Sequence, residues 1–283
     1  MDDRVALCLT KGFVQPLRNL NHLDEKKILV ALLISTTLLN SCKKAVKEKA
    51  ILVVFAHPDD EDAIGPLLVK YGKTGKVYLI ILTDGRHGIK PGYPTGDTLA
   101  LLRQTESQCR CKKMGIEAPI FLGFTDGFDT RNGVGNYLDQ SIQLKEKLTN
   151  KIKELNPDLI ITFGPDGDTG HSDHRMASNM TTEIILKEGW VEKIPLYYLG
   201  WTKRDDEKFK MIGGLNTVDK KYLNVAISYS QEEEDIAMEA IWCNKSQLSE
   251  KEMQEWNDVE KKDSSNTFHF RQFTIPTKQK TEF

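Results

Sequence analysis

A chain of 283 residues, 39% of them hydrophobic, has the apolar material for one sizeable α/β domain and its core. Its 39 Lys and Arg against 41 Asp and Glu leave a net charge of -2, so no overall field draws the protein to nucleic acid and any anionic partner must be held locally. The five cysteines (Cys8, Cys42, Cys109, Cys111, Cys243) show no C-x-x-C and no zinc-ribbon spacing, which argues against both a disulfide framework and a thiolate metal site.

Residues 1–49 read as a leader and a tether, and the single folded domain is expected over 50–283. In DEKKILVALLISTTLLNSC (24–42), two lysines precede an apolar run over 28–39, and a small residue then precedes a cysteine. That is the layout of a secretory signal, and the run is short of the about 20 residues a membrane span needs. LNSC resembles a bacterial lipobox, which implies lipidation at Cys42 and KKAVKEK as a tether. The expectation is an exported lipoprotein, anchored to a membrane through Cys42 on its periplasmic or cell-surface side.

From residue 50 the pattern alternates. AILVVFA (50–56) is a buried strand and 62–72 a helix closed by Gly72. KVYLIILT (76–83) is the second strand, followed by a loop with four glycines. A helix over 98–114 leads to PIFLGF (119–124), and a Lys- and Glu-rich helix over 138–155 to PDLIITFG (157–164). Continuous apolar strands alternating with helices predict an α/β fold, a mostly parallel sheet with helices on both faces. A helix from Arg175 to about Glu188 follows, then strands at 195–201 and 222–230 and a helix over 231–248. The last thirty-odd residues are weakly patterned.

Two clusters lie just past predicted strands: His57, Asp59, Asp60 and Glu61 after the first, and GPDGDTGHSDH (164–174) after the fourth, with Asp166, Asp168, His171, Asp173 and His174. In a doubly wound sheet of order 3-2-1-4 those strands are neighbours at the point where chain direction reverses, and their carboxyl ends form the ligand crevice. Two imidazoles and a carboxylate make a three-ligand zinc site that leaves a position for water, with Asp59 and His171 free to handle protons. Acids after a strand also cap helices, and an isolated DDE would read that way. Three of the six histidines fall in these two motifs, which tips the balance toward chemistry.

AHPDDE with GHSDH downstream resembles the GlcNAc-phosphatidylinositol de-N-acetylases, the PIG-L or LmbE-like deacetylases. RQTES (103–107) and FLGFTDG (121–127) extend the likeness over about 50–250. The resemblance implies a Rossmann-like sheet of order 3-2-1-4-5 and zinc-dependent removal of acetyl from an N-acetylglucosamine-type sugar or glycoconjugate, with iron(II) as an alternative metal. It implies His57, Asp60 and His174 as metal ligands and Asp59 as general base. His171, as an imidazolium, would stabilise the oxyanion, and Asp173 would orient His171. Glu61 stays open between a supporting role and a helix cap. The chain departs from the family at CNKSQ, where Asn244 stands in place of a histidine. Arg86 and His87 are candidate substrate contacts, and Trp190, Trp201 and Trp242 candidate sugar-stacking rings, although packing explains such tryptophans as well. Asp126 and Asp129 either reach sugar hydroxyls or form a turn. A carbohydrate-binding lipoprotein with little hydrolysis, and a metal-dependent amidase of a non-sugar substrate, are the other readings. Nothing in the sequence fixes oligomeric state.

Overall fold

The computed structural model describes residues 48–128, 133–209, 214–276, 278 and 280–282, so the leader, the signal-like run and Cys42 lie outside the described residues. The apolar runs become strands: β1 (Lys49–Phe55), β2 (Gly75–Thr83), β3 (Ile120–Phe124), β4 (Leu159–Phe163) and β5 (Leu196–Gly200). All five pair in parallel, in the order β3-β2-β1-β4-β5. Ile51 to Phe55 are all buried, as a strand covered on both faces requires.

The helices between them are α1 (Gly65–Gly72), α2 (Gly96–Met114), α3 (Val134–Leu155) and α4 (Ser172–Lys187). They are followed by α5 (Lys203–Lys208), α6 (Gln231–Ile241) and α7 (Glu250–Glu260). A short 3-10 turn, Asp60–Ile64, precedes α1. α1, α2 and α6 pack on one another and α3 packs on α4. Right-handed crossovers on either side of β1 place these groups on opposite faces of the sheet.

The C-terminal region departs from expectation. β6 (Val225–Ser228) does not lie beside β5; β7 (Thr267–Gln272) runs antiparallel between them, completing a seven-stranded sheet of order β3-β2-β1-β4-β5-β7-β6. β7 carries His269, Arg271 and Gln272 and only Phe270 in it is buried, so it lacks the apolar run that marks the central strands. α6 ends at Ile241 and not near 248, and the unforeseen α7 buries only Met253 and Glu260. Its sequence signal was the capping box of Ser249 and Glu252.

The cysteines need a correction too. Cys109 on α2 is bonded to Cys243 just past α6, with Cα atoms 6.0 Å apart across 134 residues of sequence. Spacing carries no sign of such a bridge, because it depends on the packing of α2 against α6. Cys111 is buried and free.

Candidate metal centre

β1 and β4 pair from Ile51↔Leu159 to Val54↔Thr162, so the segments leaving them emerge side by side. Past β1 the chain turns back on itself. Asp60 Oδ2 accepts the N–H groups of Ala56 (2.9 Å) and His57 (2.7 Å), which fixes the carboxylate against the strand end. Past β4, α4 opens with His174 near its start, and the Phe163 ring stacks on the His174 ring at 4.1 Å and 5°, fixing its plane.

Two imidazole nitrogens and the Asp60 carboxylate meet there. His57 Nδ1 lies 3.2 Å from His174 Nε2 and 3.5 Å from Asp60 Oδ2, and His174 Nε2 lies 3.3 Å from Asp60 Oδ1. Tetrahedral zinc with its usual N and O bond lengths spaces its ligand atoms about 3.3–3.6 Å apart, so this set fits the ion. The electrostatics agree. Burial alone would lower the pKa of both imidazoles, yet the Asp60 carboxylate raises both above the usual histidine value. Asp60, despite its own burial, is held well below the usual carboxylate range by His174 and His57. The cluster is organised for a positive charge. His57, His171 and His174 also place donors within reach of one ion, as do His57, Asp126 and Asp173. In the second of these sets both Asp173 oxygens already accept backbone N–H groups.

Those engagements define a supporting layer. Asp173 is fully buried, and its two oxygens accept the N–H groups of Phe128 (2.7 Å) and Gly127 (2.8 Å). Asp173 Oδ2 lies 3.3 Å and Asp126 Oδ1 3.4 Å from His57 Nε2, and Asp126 Oδ2 accepts the His87 N–H at 2.9 Å. The expected pairing of the Asp173 carboxylate with His171 is therefore replaced by a pairing with His57. His171 instead caps α4, its Nδ1 accepting the Asp173 N–H at 3.1 Å, which leaves a ring proton on Nε2. Desolvation and the neighbouring His57 and His174 charges lower its pKa, which favours the neutral imidazole over the imidazolium expected.

Asp59 sits at φ 111, in the left-handed region that an L-residue occupies only under constraint. Its N–H donates to Glu61 Oε2 (3.0 Å), and its Oδ1 lies 2.7 Å from Arg103 Nη2. Glu61 is fully buried, and its Oε1 accepts Ser107 Oγ (2.7 Å) and Arg110 Nε (2.8 Å), so its open role resolves as support for the turn. α2 thus turns a polar face inward, Arg103, Glu106, Ser107 and Arg110 all being buried. Burial pushes the Asp59 carboxyl up and Arg103 pulls it down, with a net rise.

Asp168 was in the motif but had no assigned role. It lies at φ 62, accepts the Trp201 indole N–H on Oδ1, and places Oδ2 3.7 Å from His174 Nδ1; burial pushes its pKa up to about 6. Arg86 is committed to Asp84 in its own loop (Nη2–Oδ2 2.6 Å) and to Asp97 in the first turn of α2 (Nη1–Oδ1 2.9 Å). His87 is exposed and borders a cavity of about 360 Å³ with His57, Asp126 and His171. A second cavity, of about 290 Å³, opens at Asp59, Asp60 and His174 and includes Trp201 and the buried Asn244. Trp190 and Trp242 border neither. Asp129 lies outside the described residues.

Residues 52–185 match the PIG-L family, described as GlcNAc-PI de-N-acetylase. The 1D-myo-inositol 2-acetamido-2-deoxy-alpha-D-glucopyranoside deacetylase of Mycolicibacterium vanbaalenii is 27% identical over 217 residues, which is 67% of this chain and 74% of that one. Of other relatives with the same name, the chain spans between 45% and 61% of the length. Among solved structures, the N,N'-diacetylchitobiose deacetylase of Pyrococcus horikoshii superposes with a TM-score of 0.58 at 17% identity, over 90% of this chain and 95% of that one. The 4-carboxy-2-hydroxymuconate hydratase GalB of Pseudomonas putida KT2440 superposes with a TM-score of 0.55 at 15% identity, over 83% of this chain and 100% of that one. Likeness at these identities shows a shared fold.

Proposed function

Residues 52–185 are a PIG-L family domain, and from that premise we propose that the protein is a metal-dependent N-deacetylase, a hydrolase that cleaves the acetamide of an N-acetylglucosamine-type sugar or glycoconjugate. The observation that carries the reading is the approach of His57 Nδ1, His174 Nε2 and the Asp60 carboxylate to within 3.2–3.5 Å of one another, with Asp59 beside them. Fold alone would not choose the reaction, since a hydratase shares it. The relatives' named activity and the donor set together support amide hydrolysis.

His57, Asp60 and His174 would hold the ion, with zinc the best match to the donor set and iron(II) an alternative. When bound, it polarises the amide carbonyl and lowers the pKa of a coordinated water to about 7. Asp59 takes a proton from the attacking water and passes it to the amine nitrogen as the C–N bond breaks, so the products are acetate and a free amino sugar. A raised pKa suits a carboxyl that must both accept and return a proton. His171 donates its Nε2–H to the carbonyl oxygen as negative charge develops there. Asp173 and Asp126 hold the His57 ring in position. A protein that only bound carbohydrate would have no use for a constrained carboxyl beside the donors. The test is acetate release from a panel of acetamido sugars, with metal-loaded and chelator-stripped protein. No acetate from any sugar with metal present would overturn the reading.

The same proposal extends to location: an exported lipoprotein anchored through Cys42. The Cys109–Cys243 bridge supports it, because such bonds persist in oxidising compartments. Metabolic labelling with a fatty acid tests it, and label retained in Cys42→Ser would refute the anchor.

A further inference from the structure

The family match ends at residue 185, yet the cavity that opens at Asp59, Asp60 and His174 draws about half of its wall, and most of its aromatic rings, from residues beyond that point. Trp201 follows β5, Phe209 follows α5, Trp256 lies on α7 and Phe268 on β7. Their rings form a continuous series of edge-to-face contacts. Phe268 to Trp201 is 6.2 Å at 69°, Trp201 to Phe209 is 6.0 Å at 72°, and Phe209 to Trp256 is 6.0 Å at 64°. Each ring fixes the orientation of the next, so the wall is formed before any ligand arrives and little side-chain entropy is lost on binding.

Polar groups are distributed unevenly along this cavity. Asp59, Asp60, Asp168 and His174 stand at the donor cluster, whereas the Glu260 carboxylate beside the aromatic wall is taken by Lys208 Nζ at 2.6 Å. Of the other polar lining side chains, Asn244 Nδ2 points to Asp62 Oδ2 at 3.5 Å and Gln247 Nε2 donates to the Gly88 carbonyl oxygen at 2.8 Å, so both amides are already engaged. A polyol, with a hydroxyl on each ring carbon, would leave most of its hydroxyls unpaired, each at a desolvation cost. The other cavity at the same donors is bordered by His87, Arg103, Asp126, Ser172 and Gln247, and suits sugar hydroxyls.

We propose that the aromatic cavity is a subsite for an apolar aglycone, an aryl or short alkyl group. The substrate class is then a hydrophobic N-acetylglucosaminide and not the free sugar or a polyol conjugate. The substrate assignment rests on the N-deacetylase reading. About 290 Å³ is small for a ligand site, enough for one such group and not for a whole glycan. The sugar lies toward the polar cavity, the acetamide meets the donor cluster, and the aglycone is buried against Trp201 and Trp256.

Binding of N-acetylglucosamine and its methyl, phenyl and octyl β-glycosides to the metal-loaded protein, by calorimetry, tests this, with acetate release followed in parallel. The phenyl and octyl glycosides are expected to bind roughly tenfold or more tighter than the methyl glycoside, the factor that about 55 Å² of newly buried apolar surface supplies. Trp256→Ala and the cavity-filling Leu248→Trp should each collapse the phenyl-to-methyl ratio toward one. That ratio does not respond to a general loss of stability, and thermal melting confirms that each variant folds. Equal affinity across the series overturns the proposal. So does a gain that follows lengthening of the N-acyl group and not of the aglycone, which would assign the cavity to the acyl chain. Aryl preference without acetate from any sugar would support the apolar subsite while refuting deacetylation, so the two failures are separable.

Discussion

Arg103 Nη2 stands 2.7 Å from Asp59 Oδ1, and the same guanidinium donates to the carbonyl oxygens of Gly85 (2.5 Å) and Pro58 (2.6 Å). One buried fork on α2 therefore holds the general-base candidate, the turn that carries it and the loop after β2. Lysine, a point charge on a flexible stem, cannot make all three contacts. Gly85, at φ 65, has no room for a side chain, because a Cβ would run into the Arg103 guanidinium.

Asp59→Asn is expected to lower acetate release by about 10²–10⁴, the range for loss of a general acid–base group, while metal content stays at the wild-type level. Arg103→Lys should also lower kcat with metal retained, because it frees Asp59 without touching the donors. Turnover near wild type in Asp59→Asn would refute the general-base role. Metal loss in either variant would show that these residues serve the ion and not the water.

His174→Ala removes one of three donors and is expected to abolish both metal binding and turnover. Ligand binding to the native state alone raises stability, by about 2.7 kcal/mol at a free-ion concentration 100 times Kd. Added zinc should therefore raise the melting temperature of stripped wild-type protein and leave His174→Ala unmoved. Unchanged zinc content by elemental analysis in His174→Ala would remove that residue from the ligand set.

The parts of this architecture that were legible share one property: their signal is local. β1 to β5 could be read because a strand buried on both faces must be apolar throughout, and Ile51 to Phe55 are. His57, Asp60 and His174 stood out because chemistry-bearing residues followed such strands, and the β1–β4 pairing brought them together. β7 and α7 were missed because each carries only two or three apolar positions among charged and polar ones, Phe268 and Phe270 in one and Met253, Trp256 and Val259 in the other, a weaker pattern than a continuous apolar run. The partners of Asp173 depended on where the loop at Gly127 and Phe128 would lie, which no spacing reports. His171 was given a charge that partial desolvation and the neighbouring His57 and His174 disfavour. The aromatic wall drew Trp256 and Phe268 from separate C-terminal elements, and Trp201 alone had been singled out.

The Cys109–Cys243 bridge fastens α2 to the segment after α6, where Ser246 donates to Glu106 from its N–H (2.8 Å) and its hydroxyl (2.6 Å). Closing a loop of this length restricts the unfolded chain, and removing a native disulfide typically costs about 2–5 kcal/mol. Reductant, or Cys243→Ser, should lower the melting temperature. KM should also rise, because Asn244 and Gln247 on the loosened segment border the cavities. A melting curve indifferent to reductant would mean that the bridge does not form.

Acid should weaken the support behind the aromatic wall. Burial favours the neutral form of Asp263, yet Lys208 Nζ (2.9 Å), the Ser265 N–H (2.8 Å) and Arg204 together hold its carboxyl well below the usual carboxylate range. A group depressed on folding stabilises the protein above its unfolded pKa, about 3.9 for aspartate, and loses that contribution as pH falls through the folded value. Glu260, on the same Lys208, is shifted upward by burial and acts in the opposite sense, so a single pH curve mixes the two. The difference between wild type and Asp263→Asn isolates the first. Asp263→Asn should melt lower at pH 7, and the two proteins should converge as pH drops below about 4, where wild-type Asp263 must take up a proton. A gap that stayed constant down to pH 2 would show that Asp263 acts through packing and not through its charge.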